Sequence, residues 1–353
     1  AEGDDAGGGE FGQGRDDSWK DLIRADVDLL IHKRAVNATW VSEKHGMTGF
    51  TFKTHGGGMR GFELESEFMR FLPDRDWKHE RWGKCAVVGN SGIMRGSGWG
   101  ADIDAHDAVI RINYAPTKPF ESDVGSKTTI DLVNKENTVK LWKGEHKWRD
   151  GGSILTLFEA HSRIIRSQVY LHLLESAGGS SIVGDSAHRH TNPISKKNLW
   201  MLSPTLITVS RQIFVSVKNQ VEREIHRYRV ALARAEEEGR GADSVPPPSS
   251  QLVRDIVAMK GPFHPGDRPY HFHNKPMSGM VTITMAMSIC DQVSIYGFDA
   301  FKDTSRVRYH YFDKRKGMTE VHSFDLAVEV YRRLAERFDL RIMPAKKVGG
   351  GRG

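Results

Sequence analysis

Two histidines stand where proton transfer can be placed. His310 lies in Tyr309-His310-Tyr311-Phe312-Asp313, a polar and aromatic stretch of loop type, and His322 follows shortly before an apolar helical pattern. Histidine is the usual general base near neutral pH. The chain has 16 histidines, so most must be surface residues and neither defines a site alone. A different chemistry is offered by Cys85-Ala-Val-Val-Gly89, which runs straight into Asn90-Ser91-Gly92, with further glycines at 96, 98 and 100. A strand followed by small residues is how α/β proteins hold phosphates: backbone N–H groups face the anion and missing side chains let it approach. Gly96-Ser-Gly98-Trp-Gly-Ala101 fits a relaxed dinucleotide pattern, but it starts well past the strand end, so a ligand loop and an empty Gly-rich loop both stay open. Pro276-Met277-Ser278-Gly279 precedes a helix. Serine there is a good cap, and the same place offers a hydroxyl and N–H groups to a phosphate or ribose. Asp102-Ile-Asp104 has the spacing of a metal-binding acidic pair, yet beside His106-Asp107 it reads better as a turn.

The elements that must position these residues are short apolar strands alternating with helices. Strands are expected at 85–89, 107–113, 128–134, 153–158, 292–297 and 340–343, and helices at 205–238, 278–290 and 324–338. That alternation argues for an α/β fold with a mostly parallel sheet. The long helix should stop at Gly239-Arg-Gly241 and the loop Pro246-Pro247-Pro248. Residues 1–17 hold six Gly and six acidic residues against one Arg, a solvated lead-in. The expected division is a flexible N-terminal segment over 1–80 and one catalytic domain over 81–348. Asn37-Ala-Thr39 is an N-glycosylation triplet, meaningful in a secreted chain.

Composition narrows the class. The 353 residues carry 51 Lys+Arg against 45 Asp+Glu, a net charge of +6. The basic residues are interspersed with acids and accompany no RNA-binding aromatic motif, so a nucleic-acid protein is not expected. A mild positive charge suits an anionic small substrate such as a nucleotide. No apolar run reaches the length of a membrane span. Two cysteines exclude a disulfide-dense scaffold and a Cys-based zinc module.

Taken together, in order and spacing, these segments resemble the eukaryotic sialyltransferase family. Cys85 to Gly100, continuing through Ile103 to Thr117 and Asp123 to Thr129, resembles the long sialylmotif. Pro276 to Gly279 through Cys290 to Phe298 resembles the short one, His310-Tyr-Phe-Asp313 the third, and His322 stands where the very short motif begins. The resemblance covers about residues 82–345. It implies a single Rossmann-like domain of the GT-A-like variant and an inverting transferase moving an acidic sugar from a CMP donor to a glycan hydroxyl, without a required metal or other cofactor. It implies that Asn90 and Asn113 contact the nucleotide and its phosphate, with Ser91 in the same turn. Ser278 and Gly279 would reach the cytidine end, His310 the phosphate, and His322 would be the base. It further implies a disulfide between Cys85 and Cys290, and a Golgi-lumenal protein of type II topology whose membrane anchor lies outside this chain. The expected partners are the CMP-sugar and a glycan acceptor, with no nucleic acid.

The chain departs from the family pattern in two places. The family's last motif is His-x4-Glu, and here that position is Ala327, with Asp325 and Glu329 as the nearest acids. A hydroxyl residue usually follows the short-motif Pro, and here it is Met277. Plant and algal members diverge in similar ways, so a related donor such as CMP-Kdo is an alternative to CMP-sialic acid. Two further readings are a catalytically silent family member, favoured by the missing Glu, and a nucleotide-dependent oxidoreductase, motivated by Gly96–Ala101.

Overall fold

The computed structural model describes residues 27–42, 47–53, 59–65, 72–77, 81–143, 145, 152–159, 162, 164–165, 199–260, 271–298, 308–315 and 322–344. The central element is a seven-stranded sheet in the order β10-β9-β4-β5-β6-β7-β8. Its strands are β4 (Trp82–Val88), β5 (Ala108–Ile112), β6 (Ile130–Val133), β7 (Ile154–Leu157), β8 (Leu199–Met201), β9 (Cys290–Tyr296) and β10 (Leu340–Met343). Every pairing in it is parallel. Successive side chains of a strand point to opposite faces, and both faces are buried here. Cys85 and Val87 join one core with Ile110 and Ile295, whereas Ala86, Val88 and Val109 join the other.

Helices cover both faces. On the first lie α4 (Pro204–Glu237), α5 (Gln251–Lys260), α6 (Ser278–Ile289) and α7 (Phe324–Ala335). On the second lie the short α1 (Gly100–Asp104) and α2 (Glu121–Val124). The eight-residue α3 (Lys135–Trp142) follows β6 and is capped by Asn134, whose side chain accepts from Asn137 N. The 34-residue α4 forms because Ser203 caps it, Pro204 opens it, and Leu206, Val209, Ile213, Val217, Val221 and Ile225 make a continuous buried stripe. It ends at Glu238 before Gly239, whose φ of 68° needs a residue without Cβ.

A separate three-stranded antiparallel sheet comprises β1 (Asn37–Ser42), β2 (Met47–Lys53) and β3 (Met59–Glu65). Part of the segment ahead of residue 81 packs on the end of the large sheet. Leu29, Leu30 and Ile31 are 2%, 2% and 0% exposed, and they bond along the end of β8: Ile31 N to Met201 O at 2.9 Å and Ser203 N to Leu29 O at 2.8 Å. The buried Asp76 carboxylate takes the N–H groups of Leu29 and Leu30. This strap covers a sheet edge that would otherwise present unpaired backbone groups.

Candidate functional site

The chain runs from β4 outward through β5, β6, β7 and β8, then returns to place β9 and β10 on the other side of β4. The carboxyl ends of β4 and β9 therefore flank the point where strand order reverses, the usual ligand crevice of an open α/β sheet. Gly89 and Gly297 stand at these ends. Gly89 N donates to Tyr296 O at 2.8 Å, and a Cβ on Gly89 would sit 2.9 Å from Gly297 O and 3.0 Å from the Phe298 ring. A Cβ on Gly279, in the first turn of α6, would lie 2.8 Å from the same ring. Phe298 is thus held between the two glycines, which brings the β4 turn, the end of β9 and the start of α6 together. Tyr331 of α7 packs its ring edge-on against Phe298 at 5.5 Å, and burial pushes its hydroxyl pKa up.

Asn90 and Asn113 are neighbours at the ends of β4 and β5. Asn90 Nδ2 donates to Ile112 O at 3.1 Å, while Asn113 Oδ1 accepts from Asn134 N at 3.0 Å. Asn113 and Tyr114 both have positive φ, 58° and 59°, a strained pair of a kind found at functional sites. Their free valences differ. Asn90 Oδ1 is buried and lacks a partner among the described residues. It can only accept, so it suits a hydroxyl and not a phosphate oxygen. Asn113 has its oxygen engaged and keeps Nδ2–H for an anion. Ser91 caps the short turn Gly92–Met94, accepting from Ile93 N. That turn is tied to the third motif: Gly92 N donates to Arg308 O at 2.9 Å and Tyr311 N to Asn90 O at 2.8 Å.

Of the two readings of Ser278, the helix cap does not hold. Met277 occupies the cap position without a side-chain bond, and Ser278 is the first helical residue. The first N–H groups of α6 are therefore not consumed by a serine cap, and the Ser278 hydroxyl remains beside them.

The two histidines are both held at Nδ1, by different partners. His310 Nδ1 is 2.9 Å from Asp313 Oδ2, and the ring stacks on Phe312 with centroids 4.8 Å apart. His322 Nδ1 is 3.0 Å from the Lys275 carbonyl. A carbonyl oxygen only accepts, so Nδ1 of His322 carries the hydrogen and Nε2 has the lone pair of a base. The rings belong to one aromatic row: Tyr309 lies 4.4 Å from His310 and 5.7 Å from Phe324, which is 6.4 Å from His322. Lys275 sits in the strap leading into α6. That strap is fixed by Phe272 N to Glu222 Oε1 of α4 at 2.7 Å and by His273 N to Ser323 Oγ at 3.0 Å. Sequence reasoning missed this carbonyl and Phe298. A main-chain oxygen leaves no trace in residue type, whereas Phe298 closes the short motif and was open to notice.

Ala327 is buried at 2%. The nearby Glu329 faces α4 instead of the site: Arg333 bonds Glu329 at 3.0 Å and Glu224 at 2.9 Å, pinning α7 to α4. The Gly96–Ala101 loop already holds an internal anion. Gly96 N and Gly98 N donate to the two Asp123 carboxylate oxygens at 2.8 and 3.0 Å, so the groups a dinucleotide would need are occupied. Asp104 takes Ser126 N, Ser126 Oγ and Lys127 N, all within 3.0 Å. Burial alone would raise its pKa, but these donors outweigh it and hold the carboxyl below its ordinary value. Asp102 and Asp104 thus lie in α1 and not in the expected turn, and the Asp104 carboxylate ties the end of that helix to Ser126 and Lys127. Among the described residues no group of three or more His, Cys, Asp or Glu side chains is placed to hold a metal ion. Cys85 and Cys290 form a disulfide between β4 and β9, with Cα atoms 6.1 Å apart. Asn37 opens β1. No helix among the described residues is long and apolar enough to cross a membrane.

Known proteins match this arrangement. The chain is 27% identical over 261 residues to sialyltransferase-like protein 2 of Oryza sativa subsp. indica, covering 73% of this chain and 54% of the rice protein. It is 29% identical over 262 residues to human beta-galactoside alpha-2,6-sialyltransferase 1, covering 73% of this chain and 51% of the human protein. The chain thus spans about half the length of these curated relatives. A solved mammalian sialyltransferase in complex with Gal-beta-1-3GalNAc-ortho-nitrophenol superposes with a TM-score of 0.51 at 20% identity, covering 92% of this chain and 94% of that one, which bears on the fold. The family model for glycosyltransferase family 29 (sialyltransferase) matches residues 32–230 and 262–337, and the chain belongs to that family.

Proposed function

We propose that the protein is an inverting glycosyltransferase that moves an acidic sugar, sialic acid in the first instance, from a CMP donor to a hydroxyl of a glycan. The observation that carries this reading is His322: the Lys275 carbonyl at Nδ1 sets Nε2 as the proton acceptor. In the family pattern a Glu stands near this histidine. Here Ala327 replaces it, and a main-chain oxygen does the orienting.

The step proceeds as a displacement. The acceptor oxygen attacks the anomeric carbon from the face opposite the phosphate and its proton passes to His322 Nε2. The bond from the anomeric carbon to the phosphate oxygen breaks, and CMP departs with the electron pair. Charge develops on the phosphate oxygens, so fixed donors accelerate the step. Asn113 Nδ2, the first N–H groups of α6 and the His310 ring are such donors, and Asp313 at Nδ1 fixes the orientation of that ring. Asn90 Oδ1 is left for a ribose hydroxyl. No metal enters the proposal, because the Asp104 carboxylate is committed to Ser126 and Lys127. A Golgi-lumenal location and an N-terminal anchor outside this chain belong to the same proposal.

The test is to incubate the protein with CMP-sialic acid and, separately, CMP-Kdo, each with a glycan panel, and to assay CMP release. Acceptor-dependent release from CMP-sialic acid is expected. Release from CMP-Kdo alone reassigns the donor. Binding of CMP without release from either donor replaces the enzyme with a binding protein.

A further inference from the structure

Residues 271–277 lead into α6 and lie in neither helix nor strand. Yet the Lys275 carbonyl within them must keep its place, because its bond to His322 Nδ1 decides which ring nitrogen is free. The local sequence supplies part of the constraint. Lys275 precedes Pro276, which confines it to extended backbone, so the direction of its carbonyl follows from the placement of the residues before it. Side chains of two other elements place those residues. Glu222 of α4 accepts from Phe272 N through Oε1 at 2.7 Å. Ser323 accepts from His273 N through Oγ at 3.0 Å. Ser323 stands at the cap position of α7, yet its side chain makes no cap bond to that helix, and its hydroxyl goes to the strap instead.

We infer that Glu222 is a positioning residue for the proposed base: by holding Phe272 N it places the Lys275 carbonyl and thereby keeps the lone pair of His322 on Nε2. The inference rests on the reading of His322 given above and extends it to a helix outside every motif of the family resemblance. Glu222 is not an ordinary surface acid. Its side chain is 13% exposed, and its second oxygen is engaged with Lys218 Nζ at 2.7 Å, so the carboxylate is held at both oxygens. Lys218, itself buried, offsets the cost of burying that charge. The more exposed His271 ring lies 3.6 Å from Oε1. The Phe272 side chain is packed in the core, which holds the strap down. Packing of a ring does not orient the peptide N–H behind it, and a charged acceptor does. The same stretch of α4 also governs the other partner of the bond. Gln220 and Glu224 accept from Arg333 of α7 at 3.1 and 2.9 Å, and α7 begins at Phe324, just after His322. The strap and the histidine are therefore both referred to one segment of α4, from Lys218 to Glu224.

Two variants test this. Glu222→Ala removes the acceptor, and Glu222→Gln keeps an oxygen for Phe272 N without the charge. Turnover of CMP-sialic acid with Galβ1-3GalNAc gives kcat and KM. Long-range proton–nitrogen NMR of histidine-labelled protein gives the tautomer of His322, whose signals are assigned by their loss in His322→Ala. Wild type should carry the hydrogen on Nδ1. Glu222→Ala should lower kcat about 10- to 100-fold, the scale of a small misplacement of a reacting group, with KM for CMP-sialic acid within about 2-fold. The Nε2–H tautomer should appear at His322 in the same variant. Glu222→Gln should restore kcat to within about 3-fold of wild type, because the hydrogen bond is kept. Wild-type kcat in Glu222→Ala, or an unchanged tautomer there, overturns the inference. The NMR measurement needs no turnover. A wild type that releases no CMP therefore overturns the proposed function, while the tautomer in Glu222→Ala still decides what Glu222 does to His322. Should Glu222→Ala fail to fold, Glu222→Asp decides by the same readings, since it keeps a charge near Lys218 and withdraws the oxygen from Phe272 N.

Discussion

At His322 a backbone carbonyl, that of Lys275, fixes which ring nitrogen carries the hydrogen. A positioned base contributes about 10²–10⁴-fold, so His322→Ala should lower turnover by that order while CMP affinity stays near wild type. A folded His322→Ala protein with wild-type turnover would remove the assignment. His310→Ala should differ by weakening CMP binding as well, because the proposal gives its ring to the donor phosphate. Asp104 gives a complementary prediction. Its carboxylate accepts three donors from Ser126 and Lys127, and charged hydrogen bonds of this kind are worth about 1.5–3 kcal/mol each at most. Asp104→Ala should lower unfolding stability by about 2 kcal/mol without altering any dependence on divalent ions. Turnover in EDTA should equal turnover without it; a loss restored by Mn²⁺ would revive the acidic pair as a metal site. The sign with pH follows from the depressed pKa. The contribution is fully present above the ordinary carboxylate value of about 4 and is lost as pH falls through the lower folded value. It is intact at mildly acidic pH. Wild type and Asp104→Ala should therefore converge in stability only on strong acidification, which urea unfolding across pH will register.

Among the elements, the entry of α6 is a close junction. Gly279 touches the Phe298 ring where a Cβ would sit 2.8 Å from it. Gly279→Ala should push the ring or the helix start aside, at about 1–3 kcal/mol for overpacking, and weaken CMP binding about tenfold, a change calorimetry can read. Equal affinity in the variant would show that this turn does not form part of the nucleotide site. The elements around that junction were the legible ones. β10 falls on the expected 340–343, and α4, α6 and β9 begin within two residues of expectation, because apolar runs and a long buried stripe fix them locally. The segments that escaped depend on partners instead. β8 has three residues and exists because β7 lies beside it. β1 to β3 mix Lys, Arg, Glu and Gly with apolar residues and show no clean alternation. The site divides in the same way. Asn90, Asn113, His310 and His322 could be picked by type and motif. The cap at Met277, the carbonyl of Lys275 and the Asp123 plug under Gly96 and Gly98 are backbone geometry, which the one-letter code does not carry.

On the scale of the whole molecule, the crevice is assembled from chain segments far apart in sequence, and the Cys85–Cys290 bridge spans 205 residues to join the same two strands that frame it. The chain-entropy model gives a loop of that length roughly 5 kcal/mol as an upper bound. Intact mass after alkylating the unreduced, unfolded protein should show no reactive thiol, and the Cys85→Ser, Cys290→Ser double variant should melt at lower temperature. Uptake of alkylating reagent at both cysteines without reductant would refute the bridge in solution. The bridge joins the middle of β4 to the first residue of β9, while Gly89 and Gly297 lie just past the far ends of these strands. The sheet is stapled short of its carboxyl edge. One consequence concerns a severed polypeptide. A single cut anywhere between residues 90 and 290 leaves both fragments covalently tethered, with Asn90 on the first and His322 on the second. The nicked molecule should migrate as one band until reduced, and dithiothreitol should release two peptides of which neither, by itself, retains affinity for CMP.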